Sequence, residues 1–218
     1  MEITNSITMM EAAYDTIKKA ILKGYFNEGA QLVEADLIQK MNISRTPLRE
    51  ALRKLEQEGI VVRRPYKGVF VNTITKEHAA EIYRVQAVLE GLAARLVAEK
   101  RDDKMLAELQ HVIDAAYQEF NDHNTDEAIQ HSQAFHHNIW KYSGNSVVIS
   151  MLNTLKDFIT ILRHKTLIDV QRMKENLTGH RLILAAIAAK NGAEAERLMI
   201  EHIVEASRVA MKKLVEQR

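Results

Sequence analysis

Three arginines recur every fourth residue within one short segment: Arg45, Arg49 and Arg53. On a helix that spacing sets them along one face. An arginine fork can bond O6 and N7 of a guanine together in the major groove, or grip a phosphate. Thr46 offers a hydroxyl to a phosphate and a methyl to thymine. Ser44 opens the segment, and downstream Tyr66-Lys67-Gly68 forms a turn that could reach the minor groove or the backbone. Ser44, Arg45, Thr46, Arg49, Arg53, Lys67 and Gly68 are therefore the candidate contacts to double-stranded DNA. The plainer meaning of such a charge run is a solvated helix face, and charge alone does not choose between the two.

A second set of residues lies in the C-terminal part: His111, His123, His131, His136, His137, His164, His180 and His202. Neutral imidazole is the commonest metal-ligating side chain. None of these histidines stands in a local ligand spacing such as HExxH, so spacing alone reads them as surface or helix-end residues. His137 points about 100° away from His136 on a helix and is expected to see solvent. Phe135, Ile139 and Trp140 read as core. Arg163 either faces a pocket, where it would pair with an acidic ligand, or lies on the surface.

The elements that must position these groups follow from periodicity. Ala12, Ile17, Ala20 and Ile21 suggest an amphipathic helix ending near Gly24. A turn over Phe26–Ala30 leads to a short helix, Ala35–Met41, closed by Asn42, which tolerates a left-handed conformation. A third helix opens at Ser44, whose hydroxyl suits an N-cap, with Pro47 in the first turn. Its buried stripe is Leu48, Ala51, Leu52 and Leu55, and Gly59 stops it. Ile60–Arg64 and Val69–Asn72 around a Gly-containing turn read as a hairpin. Helix, helix, turn, helix and hairpin is the layout of a winged helix-turn-helix, whose second helix of the pair enters the major groove.

Both prolines and half of the eight glycines precede residue 70. Helical patterns fill the rest, with candidate spans 76–100, 102–122, 125–143, 146–171, 174–190 and 192–216. Thr178-Gly179 is the weakest of the punctuation marks and fits a helix interior as well. The fold class is mainly α: a winged helix-turn-helix (three helices plus a β-hairpin wing) over 1–75 and an all-α helical bundle over 76–218.

Composition removes other classes. With no cysteine there is no disulfide, thiolate metal site or cysteine nucleophile. No apolar run approaches a membrane span, and Met1–Asn5 does not begin an export signal; a cytoplasmic location is expected. The net charge of +1 says little, whereas the local basic face in the N-terminal part matters to a polyanion.

Ile43 to Ile60 (Ile43-Ser-Arg-Thr-Pro-Leu-Arg-Glu-Ala-Leu-Arg-Lys-Leu-Glu-Gln-Glu-Gly-Ile60) resembles the signature of the GntR superfamily of bacterial repressors. Ile21–Gly24, Gly29–Leu32 and Lys67–Val71 agree with it. The resemblance implies DNA contacts at Arg45, Thr46, Arg49 and Gly68. Relatives often carry arginine after the acidic residue of the second helix; here Ala35 follows Glu34. Further on, Ala134–Asn145 and Gly179–Ile187, with Ala193–Ala195 and Glu201–Ile203, resemble the FadR-type ligand-binding (FCD) domain. That resemblance implies a divalent metal, held by an aspartate and three histidines, that anchors a carboxylate metabolite. The histidines map to His136, His180 and His202. Ser132 stands where the aspartate would be, and Gln86 where relatives commonly have arginine. Three neutral imidazoles suit zinc or nickel, with solvent or ligand oxygen completing the shell, and Ser132, Gln86 and Arg163 are the candidate ligand-binding residues.

The expectation is a sequence-specific transcriptional regulator, a repressor, that binds a palindromic operator as a homodimer and answers to a small carboxylate effector held at a metal. Two rivals stand beside it. One is a DNA-binding regulator without a small-molecule ligand, its bundle serving assembly only. The other is a three-histidine metalloenzyme, with Glu90 or Asp157 as acid or base.

Overall fold

The computed structural model describes residues 8–167 and 169–216, in two compact units, Met1–Ile74 and Thr75–Arg218. Met1–Asn5, expected to carry no export signal, lie outside the described residues.

The first unit runs α1 (Met9–Leu22), β1 (Gln31–Leu32), α2 (Glu34–Met41), α3 (Arg45–Gln57), β2 (Val61–Arg64) and β3 (Gly68–Val71). A reciprocal cap starts α1: Thr8 Oγ1 accepts from the Glu11 N–H, while the Thr8 N–H donates to Glu11 Oε2. The buried face of α1 is Ala13, Tyr14, Ile17 and Ile21, so Ala12 lies outside it. Asn42 ends α2 in the left-handed conformation, at φ 50 and ψ 49. Leu48, Ala51, Leu52 and Leu55 of α3 are fully buried against α1 and the strands, the stripe the spacing predicts. Ser44 occupies the N-cap position of α3, but its hydroxyl makes no capping bond, contrary to expectation.

The wing is wider than a hairpin. β1 pairs antiparallel with β3, and the sheet order is β1-β3-β2. Two paired residues, Gln31 and Leu32, are too short a run to show period-two patterning, so β1 was not evident from the chain.

The second unit comprises α4 (Lys76–Lys100), α5 (Asp103–Asn121), α6 (Thr125–Ser143), α7 (Ser146–Leu167), α8 (Val170–Ala188) and α9 (Gly192–Glu216). α4 packs against α6, α7, α8 and α9 and carries small residues, Ala79, Ala87, Gly91, Ala93 and Ala94, where neighbours come close. The boundary expected near 171 falls earlier. α7 ends at Leu167, and Asp169 caps α8 by accepting from the Arg172 N–H at 2.8 Å. Ile168, inside the span expected for α7, lies outside the described residues. No Gly or Pro marks this junction. Thr178-Gly179 lies inside α8 and breaks nothing.

Candidate functional site

In the first unit, α3 shows solvent its polar face. Ser44, Arg45, Thr46, Arg49 and Arg53 are all exposed, as are Lys67 and Gly68 in the wing. α3 has no acidic residue in its first turn and no side-chain cap. Its first N–H groups and the positive end of its dipole are therefore open to an anion. Arg45, Arg53 and Lys67 have no side-chain partner among the described residues. Arg49 Nε meets Glu34 Oε2 at 2.9 Å, so the acidic residue that opens α2 orients this guanidinium. Other cations of the basic stretch are engaged within the unit: Arg63 faces Glu56, Lys54 lies over the Tyr14 ring and Arg64 over Phe70.

At the wing tip Tyr66 is fully exposed with φ 61, a left-handed conformation that a bulky residue rarely holds. Gly68, a candidate DNA contact, has an internal reason to be glycine as well. Its φ is +99, and a Cβ there would stand 3.2 Å from Gln31 Nε2, which donates to the Lys67 carbonyl.

In the second unit, four helices bring distant residues into one buried polar interior. His136 of α6, His180 of α8 and His202 of α9 place one ring nitrogen each within 4.8 Å of the others. His136 Nε2 and His180 Nε2 are 3.0 Å apart. Two nitrogens on one tetrahedral metal at about 2.0–2.1 Å would stand roughly 3.3 Å apart. His136 and His180 are buried and His202 half-buried. Burial holds all three well below the usual imidazole range, and the Arg163 guanidinium adds to this, so the rings are neutral near pH 7.

Glu90 of α4 supports the cluster from behind, its Oε2 bonded to His136 Nδ1. A proton on Nδ1 leaves Nε2 bare and aimed at the other two rings. Burial raises the Glu90 pKa, against the pull of Arg163 and Gln86. Gln86 donates to Glu90 Oε1 at 2.7 Å, replacing an ionic contact with a neutral one at the position where an arginine was expected. Ser132 is fully buried but accepts from Asn176 Nδ2 at 2.8 Å, so its hydroxyl is tied to α8. Arg163 is buried, with Nη2 3.9 Å from Glu90 Oε1. Asp157, the other acid or base nominated, is not among the buried polar groups.

His137 does not face solvent as expected. It is half-buried, edge-on to Trp140 at 4.6 Å, and burial lowers its pKa to about 4. Phe135, Ile139 and Trp140 are core residues, and Phe135 stacks on His180.

The donor set fits a divalent metal: three neutral imidazoles converge, and a carboxylate fixes the tautomer of one. It fits as a three-ligand site, because Ser132 brings no negative charge. Periodicity missed Glu90 as the partner of His136, and missed Tyr83, Arg172 and Asn176 altogether. Arg172, Asn176 and His180 recur at i, i+4 and i+8 of α8, a signal present in the chain.

Gly179 shows how close α8 and α9 must come. A Cβ there would lie 2.6 Å from His202 Nδ1. Glycine to alanine inside a helix ordinarily stabilises by about 1 kcal/mol. Gly179→Ala is expected to reverse that sign, lowering the melting temperature and weakening zinc binding as His202 is displaced. Calorimetric unfolding with and without zinc checks this; a melting temperature raised in both states would contradict the packing described.

Comparison with known proteins agrees with both units. The family described as bacterial regulatory proteins, gntR family, matches residues 9–71, and the FCD domain family matches residues 81–205. An uncharacterised HTH-type transcriptional regulator of Bacillus subtilis, YdhC, is 28% identical over 87% of this chain and 85% of its own. The HTH-type transcriptional repressor GlaR of Escherichia coli is 25% identical over 91% of this chain and 94% of its own. Among solved structures, McbR/YncC of E. coli superposes with a TM-score of 0.80 at 23% identity, covering 97% of this chain and 99% of that one, a likeness of fold. No described helix is long and apolar enough to cross a membrane. The family and its named relatives are regulators, not enzymes, which removes the metalloenzyme rival. An exposed arginine-bearing helix with a wing, followed by an FCD bundle, thus has its counterpart in sequence: the chain belongs to the FCD-domain regulators of the gntR family and is a DNA-binding transcriptional regulator.

Proposed function

We propose that the chain is a repressor that binds a palindromic operator as a homodimer and is controlled by a small carboxylate metabolite at a zinc or nickel ion held by His136, His180 and His202. The observation that carries the effector half is the convergence of three neutral imidazoles, with Glu90 behind one of them, in a buried interior. A bound divalent ion would supply a Lewis-acidic point for a carboxylate oxygen. Arg163 adds a buried cation beside it.

The DNA half rests on the open N-terminus of α3 and on the exposed Ser44, Arg45, Thr46, Arg49 and Arg53, with Lys67 and Gly68 in the wing. One recognition helix reads few base pairs, and two-fold pairing doubles the contact. An apolar surface is available for pairing. His78 near the start of α4 stacks edge-on against Phe158, and Lys100 at its end bonds the Ser143 carbonyl just before α7. The two helices therefore run antiparallel, and Val85 and Val88 come level with Met151 and Val147. All four are exposed. This patch is the proposed dimer face.

Selection from random duplexes yields the operator, and light scattering then reads the mass of the free and bound protein. The expected result is a two-fold-symmetric site bound by two chains, whose affinity changes when zinc and a carboxylate are added together. A ligand can shift binding only by its differential affinity for the two arrangements. An operator affinity indifferent to every metal and carboxylate combination would favour the rival in which the bundle serves assembly alone.

A further inference from the structure

The polar interior of the second unit extends beyond the three histidines. Along α8, Arg172, Asn176 and His180 lie on one face, with about 12 Å of helix between the first and the last. Along α4, Tyr83, Gln86 and Glu90 face the same interior, and all six side chains are buried.

Among the buried polar atoms of this interior that lack a hydrogen-bond partner, donors outnumber the one amide acceptor, Gln86 Oε1. Tyr83 Oη, Arg163 Nη2, and both Nε and Nη2 of Arg172 are buried with no hydrogen-bond partner. Nε and Nη2 are the adjacent pair on the side edge of a guanidinium, the edge that grips both oxygens of one carboxylate. The outer nitrogen, Nη1, is the one turned to Glu175, at 3.7 Å.

Charge is out of balance in the same direction. Arg163 has only Glu90 near it, at 3.9 Å, a carboxylate that Gln86 and His136 already occupy, and Arg172 meets only the exposed Glu175, through Nη1. Tyr83 cannot supply the missing charge, since burial pushes its phenol up to about 12. An open groove of about 370 Å³ runs along α8 and α9, and Arg172, Gly179 and His202 form part of its lining. Of its acidic residues, Glu201 faces Arg197, Glu205 faces Arg208, and Glu175 faces only the outer nitrogen of Arg172, leaving the Nε–Nη2 edge without an acceptor.

We propose that Tyr83, Arg163 and Arg172 form a second oxyanion subsite, so that the effector is a dicarboxylate with one end at the histidine centre and the other across the Nε–Nη2 edge of Arg172. This rests on the effector reading given above and narrows it. A monocarboxylate would satisfy the histidine centre and leave the Arg172 edge unpaired. Selectivity would then come from those unpaired donors rather than from the length of the carbon chain.

The test is calorimetric titration of the zinc-loaded full chain with succinate and glutarate, set against butyrate and valerate. The dicarboxylates are expected to bind at least about tenfold tighter than the monocarboxylates of equal length, the worth of one charge-assisted pair. Arg172→Gln is expected to erase that advantage and leave the monocarboxylates within about twofold of wild type. Tyr83→Phe removes one hydroxyl without changing shape and is expected to reduce the advantage in part, so the test survives if Arg172→Gln fails to fold. Equal binding of the two series by the wild-type chain, or an equal loss of both in Arg172→Gln, overturns the subsite and leaves the metal-held effector standing. A chain that binds none of the four acids while retaining zinc overturns the carboxylate reading itself, and the subsite with it.

Discussion

Arg49→Ala is expected to weaken operator binding by about 30-fold to 20,000-fold while the fold persists. A bidentate arginine contact discriminates by about 1–3 kcal/mol, and a two-fold complex contains it twice. Against that stands the link to Glu34, an exposed ion pair worth about 0–1 kcal/mol. The change in melting temperature should therefore be small and the change in DNA affinity large. Salt dependence then tells which contact was lost. If Arg49 reads a base, selectivity relaxes at one operator position and the salt slope hardly changes. If it grips a phosphate, binding falls for all sequences and the slope drops by about one unit per half-site. Fluorescence anisotropy on the selected duplex measures both, and operator affinity within about twofold of wild type would remove α3 from the interface.

The second large effect concerns the buried imidazoles. His180→Ala is expected to reduce zinc affinity by more than about 100-fold, since loss of a supporting partner alone commonly costs 10–100-fold. Glu90→Gln, which keeps an acceptor for His136 Nδ1 but removes the charge, is expected to fall within that smaller range. Competition with a chelator of known affinity reads both, and a His180→Ala chain that holds zinc as tightly as wild type would dissolve the site.

Stability of the metal-free chain should also depend on pH. His136, His180 and His202 have folded pKa values well below 6.5, and His137 about 4. Below pH 6.5 the unfolded chain therefore binds protons that the folded chain refuses, and stability falls with acidification until the folded values are reached. Glu90 acts with the opposite sign. Its folded pKa is raised above 4.5, so the folded chain binds a proton first and stability is lost as pH rises above 4.5. One proton opposes four, and the net slope between pH 6.5 and 4.5 remains positive. Urea titrations at pH 7 and pH 5.5 are expected to show a marked loss of stability at the lower pH. Zinc should steepen that dependence, since protons compete for the same nitrogens.

Much of the first unit was legible because its signals are local. Leu48, Ala51, Leu52 and Leu55 bury one side of α3 by helical period alone, and the same period puts Arg45, Arg49 and Arg53 on another. Asn42 marked its own left-handed cap. Local signals failed where structure depends on partners. The two residues of β1 become a strand only by pairing with β3. The α7–α8 junction has an aspartate cap but neither Gly nor Pro.

The polar interior divides the same way. Resemblance to a known domain singled out His136, His180 and His202, but the residues lie on three helices, and no local spacing relates them. Their approach to within 4.8 Å depends on how α6, α8 and α9 pack, and in particular on the bare backbone of Gly179 receiving the His202 ring. The same packing takes Glu90 from an unplaced acid to the partner of His136, and turns Arg172 from one charge among many into a buried side chain whose Nε–Nη2 edge has no hydrogen-bond partner. Residue type and helical period are properties of a segment and can be read along the chain. Which nitrogen meets which oxygen depends on how close separate helices come, and that distance is decided only when the whole bundle packs.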